Sequence, residues 1–185
     1  MKTHAALALV ALLLASAAPA KERYGVTAPP TMEAGGATLQ LMGMGLRKKL
    51  FFKVYLASFY LQKPTDDAKE AVASDQVKRV QMNMLRDLER GKILEALREG
   101  FEKNAGANLP ALKDRLVKFE AAIPDLKENQ SLSVTYVPGK GTTVAANGVD
   151  KVVIEGKDFA DALFSVWIGA HPVDDELKEE MLRNR

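Results

Sequence analysis

The 185-residue chain has no cysteine. That absence excludes disulfides, thiolate metal sites, iron–sulfur clusters, cysteine nucleophiles and a lipid-modified cysteine anchor. Histidine is scarce too, with only His4 and His171. An excess of either charge is also missing. Lys and Arg number 26 against 24 Asp and Glu, a formal net charge of +2. The two signs are interspersed, so no nucleic-acid partner is expected. The composition, 47% hydrophobic and 27% charged, is that of an ordinary globular domain.

What is present begins with a three-part N-terminus. Lys2 gives a positive start, Ala5 to Ala15 is an unbroken apolar run, and Ala18-Pro19-Ala20 supplies small residues. This pattern predicts a signal peptide over residues 1–20, cut after Ala20. The run is too short for a membrane span, which takes about 20 residues. The expected location is therefore periplasmic or secreted, with no stable membrane insertion after cleavage. Cleavage also removes His4. One remaining histidine cannot build a two-His metal site, so no metal and no cofactor are expected. His171 stands in Gly169-Ala170-His171-Pro172, a helix-ending sequence, and reads as a polar residue at a helix C-terminus.

Residues 21–37, rich in Pro, Gly and small side chains, read as an irregular lead-in to a domain over 38–185. Thr38–Arg47 reads as a strand entering a turn punctuated by Gly43 and Gly45. Leu50–Leu61 is the strongest strand signal and is apolar on both faces. Tyr55 and Phe59 lie on one face, Leu56 and Tyr60 on the other, which predicts a strand covered on both sides. Val77–Leu85 alternates as a strand with one wet face. Leu88–Asn104 and Leu109–Ile123 carry helical stripes, including Ile93, Leu97 and Phe101. Strands follow over 131–137 and 142–154, with turns at Pro138–Gly141 and Asn147-Gly148. Helices over 158–168 and 174–183 end the chain. Strands grouped apart from helices favour an antiparallel α+β domain.

Short glycine motifs carry little here. Gly43-Met44-Gly45 has Lys48 where a dinucleotide loop needs its third Gly, and Gly139–Thr143 lacks phosphate-loop spacing. The segment that can carry chemistry is Gly43–Leu61. If its two strands pair, the Arg47 guanidinium reaches over one sheet face toward a tyrosine hydroxyl. Such a fork suits a carboxylate or an enolate-like oxygen. Buried, it requires an anionic ligand or an internal acid such as Glu33 or Asp87. The alternative is a solvated basic turn of Arg47, Lys48 and Lys49.

The segment GMGLRKKLFFKVYLASFYL resembles the chalcone isomerase-like family, especially its exported bacterial branch. The C-terminal ALFSVWIGAHP, followed by Leu177-Lys178, resembles that family's ending. The resemblance implies an open-faced β-sandwich, a large antiparallel sheet with a helical layer on one face. It places a ligand cleft between the two. Plant members cyclise chalcones, with an Arg stabilising the substrate phenolate; plastid members bind fatty acids. Carried onto this chain, the resemblance implies Arg47, Tyr55 and Lys92 as catalytic candidates. It implies Arg47, Tyr55, Tyr60 and Ser165 as ligand-binding ones. Glu89 and Ala96 stand where the enzyme has Tyr and Asn, so its water network would be incomplete. The leading expectation is an exported protein binding a small lipophilic carboxylate or phenolic ligand through Arg47. The alternatives are an intramolecular lyase that cyclises an enone and a non-catalytic envelope scaffold.

Overall fold

The computed structural model describes residues 20–183. The expected signal peptide therefore lies outside the described residues, Ala20 excepted. Strands β1 (Lys21–Arg23) and β2 (Val26–Ala28) form a small hairpin. Then come β3 (Thr31–Ala34), β4 (Ala37–Lys49), β5 (Phe52–Leu61), α1 (Ala68–Ala73), β6 (Lys78–Met84) and α2 (Arg90–Ala105). A short 3₁₀ turn leads to α3 (Leu109–Ala121), β7 (Ser131–Val137), β8 (Gly141–Ala146) and β9 (Val149–Ile154). Helices α4 (Lys157–Ile168) and α5 (Asp175–Leu182) close the chain.

Strands β3 to β9 form one seven-stranded sheet in sequence order, every pair antiparallel. The helices pack on one face, the α+β open-faced sandwich that the family resemblance implied. On β5, Ala57, Phe59 and Leu61 join the main core under the helices. Leu56 and Tyr60 join a second core on the opposite face, with Leu39, Leu41 and Ala28. On β6, Val80, Met82 and Met84 point inward, while Arg79 bonds Gln81 and Thr135 on the outer side. Helix α4 is apolar almost all round, as a helix buried between layers must be; Phe159, Leu163, Phe164 and Trp167 are all buried.

Two expectations are corrected. Residues 21–37 are not an irregular lead-in: they hold β1, β2 and β3, and β3 pairs with β4 in register Thr31↔Gln40. Ala28 of β2 is buried in one cluster with Leu39, Leu41 and Leu56, so this segment covers the outer face of β4 and β5. Gly43 and Gly45 are not turn glycines either. They lie inside β4, which runs on to Lys49 and turns at Leu50-Phe51. They are glycine because α5 crosses β4 there: a Cβ on Gly43 would meet the Glu180 carbonyl oxygen at 2.2 Å. One on Gly45 would meet that of Leu177 at 2.4 Å.

Lys78 on β6 is fully buried, 0% exposed. Its Nζ donates to the carbonyl oxygens of Ala71 and Val72, the last turn of α1, and lies 3.9 Å from Asp161 Oδ1. Burial pushes its pKa down from 10.5 to about 8. A lysine titrating lower when folded costs stability wherever it stays charged. The cost is full below about pH 8, shrinks as pH rises toward 10.5, and is then gone. It amounts to about 3 kcal/mol. The unfolding free energy of the wild type minus that of Lys78→Met should therefore grow with pH across this window. A flat difference in chemical denaturation would contradict it.

Candidate functional site

Arg47 sits near the end of β4, directly opposite Tyr55 on β5, and Tyr55 is opposite Met84 on β6. The alternation of β4 places Arg47 on the same face as Gly43 and Gly45, toward the helices. Its Nη1 donates to Asp174 Oδ2 at 3.0 Å and also to the Lys48 carbonyl oxygen. The two ion-paired side chains are 19% and 16% exposed. Arg47 is thus neither a solvated turn residue nor paired with Glu33 or Asp87. Its partner is the N-cap of α5, whose Oδ1 also accepts the Leu177 N–H. Among the described residues, the Arg47 Nε and Nη2 make no hydrogen bond.

Beside this pair lies a cavity of about 410 Å³ between the sheet and α2. Its apolar lining comes from Met82, Met84, Leu132, Ile93, Leu97 and Val166. Its polar rim carries Arg47, Lys49, Arg86 and Lys92, with Asp87 and Glu89. A smaller recess of about 250 Å³ shares Arg47, Lys49, Lys92 and Val173 with it and is lined by Glu95, Glu99, Lys103 and His171. Arg47 stands where the apolar hollow passes into this polar recess. Helix α2 reaches the hollow because Glu89, Lys92, Ile93, Ala96 and Leu97 share one helical face.

Tyr55 lines the cavity, and its hydroxyl accepts a 3.2 Å hydrogen bond from Trp167 Nε1. Burial pushes its pKa up to about 12, so it is a neutral hydrogen-bonding group at neutral pH. Lys92 also lines the cavity, but its Nζ pairs with Glu95 at 3.2 Å and the side chain is well exposed. Thus Arg47, Tyr55 and Lys92 come together. Tyr60 and Ser165 do not. Tyr60 lies on the opposite face of the sheet, its hydroxyl donating to the Pro29 carbonyl oxygen. The Ser165 hydroxyl donates to the Asp161 carbonyl oxygen within α4. Neither lines this cavity. Sequence reasoning missed Asp174, Trp167, Arg86 and Lys49. Asp174 carried a visible signal, an aspartate three residues before Leu177 at a helix start.

The model of the family described as chalcone isomerase-like matches residues 20–183. The chain belongs to the chalcone isomerase-like family. Its fold is similar to the crystal structure of a fatty-acid binding protein from Arabidopsis thaliana. The TM-score is 0.69 at 17% identity, covering 89% of this chain and 96% of that one. No curated protein matches the chain by sequence. In this chain, the β4 Arg facing the helical layer and the C-terminal helix seated on glycines form one unit. Gly43 and Gly45 admit α5, and α5 brings Asp174 to Arg47.

Proposed function

We propose that this chain is an exported protein that binds a small lipophilic carboxylate or phenolate. The acid head is held by Arg47 and the tail lies in the cavity between sheet and α2. The observation that carries this reading is the position of Arg47: a guanidinium with unused donors at the rim of an apolar hollow. The hollow is of small-molecule size, within the roughly 300–1,000 Å³ common for such sites. The Arabidopsis fatty-acid binding protein of similar fold supports the same ligand class. Binding is favoured over enone cyclisation because Lys92 is turned out to Glu95, and Tyr55 holds its proton up to about pH 12. No strong base then faces the hollow from either residue.

A homologous series of fatty acids, titrated by calorimetry, tests this. Each added methylene contributes about 0.8 kcal/mol, so affinity should rise about fourfold per methylene while the tail still enters the hollow. It should then level off once the hollow is full. The matching methyl esters, which offer Arg47 no charge, should bind more weakly. Esters binding as tightly as acids, or no dependence on length, would contradict the proposal.

A further inference from the structure

The turn between β4 and β5 is built against the usual rules for an exposed hairpin. Its two residues are Leu50 and Phe51, 84% and 97% exposed, and Phe52 behind them is 57% exposed. Leu50 adopts φ +54°, a left-handed conformation that hairpin turns normally give to Gly, Asn or Asp. Neither burial nor backbone preference explains these residues. Tyr24, at the turn of the β1–β2 hairpin, is 47% exposed with φ +52°. The two tips are neighbours, since Lys53 Nζ lies 4.0 Å from the Tyr24 ring centroid. Together they make one exposed apolar and aromatic crest.

Positive charge flanks the crest. The chain has no carboxylate between Glu33 and Asp66. Of the cations there, Arg47 and Lys48 are paired with Asp174 and Glu176 on α5. Lys49 and Lys53 flank the tip, and Arg86 lies over the Phe52 ring at 4.7 Å. These three have no salt bridge among the described residues. Protruding leucine and phenylalanine, an amphipathic tyrosine beside them and a collar of unpaired cations match an anionic lipid–water interface. A soluble protein partner would need a shaped, extended face, and a narrow two-residue tip offers little of one.

We propose that Leu50, Phe51 and Tyr24 dock this protein onto anionic lipid surfaces, with Lys49, Lys53 and Arg86 facing the headgroups. Docking stands whether or not the cavity holds a fatty acid. Its placement matters all the same, because Lys49, Leu50 and Phe52 also line the cavity. A docked tip sets the cavity's mouth at the bilayer, where a lipophilic guest can pass without crossing water.

Vesicle flotation tests this with the chain starting at Lys21, which keeps every described strand and helix. Binding should be strong to phosphatidylcholine vesicles holding about 30% phosphatidylglycerol and weak to phosphatidylcholine alone. It should fall steeply in about 0.5 M salt. The Phe51→Ser variant, altered only at an exposed position outside the cavity lining, should lose at least about tenfold in binding while keeping wild-type fatty-acid affinity for the cavity. Lys49→Glu/Lys53→Glu should abolish the preference for the anionic lipid. Equal weak binding to both vesicles, or undiminished binding by the serine variant, overturns the proposal. So does a dimer of the wild type that the serine variant dissolves, which assigns the crest to a second copy of the chain.

Discussion

Replacing Gly43 with alanine should cost about 3 kcal/mol or more, because the new methyl has nowhere to go. The obstruction is backbone: the Cβ would sit 2.2 Å from the Glu180 carbonyl oxygen and 2.8 Å from that of Met181. Side chains can rotate away from an intruder, but a helix carbonyl cannot. Helix α5 must lift, and with it go buried Leu177 and Met181. The Leu46 N–H would also lose its 2.7 Å bond to Glu180 Oε2. Chemical denaturation measures the loss. Gly91→Ala is the control, since a Cβ there meets nothing within 4 Å and the residue lies inside α2. That change should stabilise by about 0.5–1 kcal/mol. Equal effects at Gly43 and Gly91 would mean that α5 is not seated as described. Lifting α5 also withdraws Asp174 from Arg47, so Gly43→Ala should tighten fatty-acid binding without touching the cavity lining.

Arg47→Met should weaken fatty-acid binding about a hundredfold. A charge-assisted hydrogen bond from an arginine to a carboxylate contributes about 1.5–3 kcal/mol, and the methionine offers nothing in return. Arg47→Lys should fall between, since an ammonium keeps the charge and loses the fork. Asp174→Asn should act in the opposite direction. Asp174 Oδ2 holds Arg47 Nη1 at 3.0 Å, so it competes with any ligand carboxylate for the same guanidinium. Weakening that competitor should tighten binding several-fold, while asparagine still caps α5 and the lost charge at its N-terminus costs about 0.3–1 kcal/mol of stability. Calorimetric titration of all three variants with one fatty acid separates the roles. Loss of affinity in Asp174→Asn would mean that Asp174 orients the arginine for the ligand instead of competing for it.

Most of the architecture was legible because local patterns agreed with it. The two-faced apolar run of β5, the alternation of β6 and the stripes of α2 and α3 each named the face they bury. What stayed illegible was long-range. Gly43 and Gly45 read as a turn because glycine commonly marks turns, and nothing nearby in sequence announces a helix crossing from residues 175–182. Residues 21–37 read as irregular because strands of three or four residues carry almost no periodicity. In the site, alternation already separated Tyr55 from Tyr60, so only one of them could face the cleft. Family resemblance named both, and the strand's own geometry chose Tyr55. The sequence offers Glu33 and Asp87 as acids for Arg47, but Asp87 pairs with Lys127 at 2.9 Å. Asp174 is distant in sequence, and only the packing of α5 brings it to Arg47.

A crystal structure of the protein with dodecanoic acid bears on the account most directly. The carboxylate should lie within about 3 Å of the Arg47 guanidinium. The alkyl tail should run between Met84, Ile93 and Leu97. A tail lodged anywhere else, or a carboxylate left in solvent while Arg47 holds Asp174 alone, would contradict it.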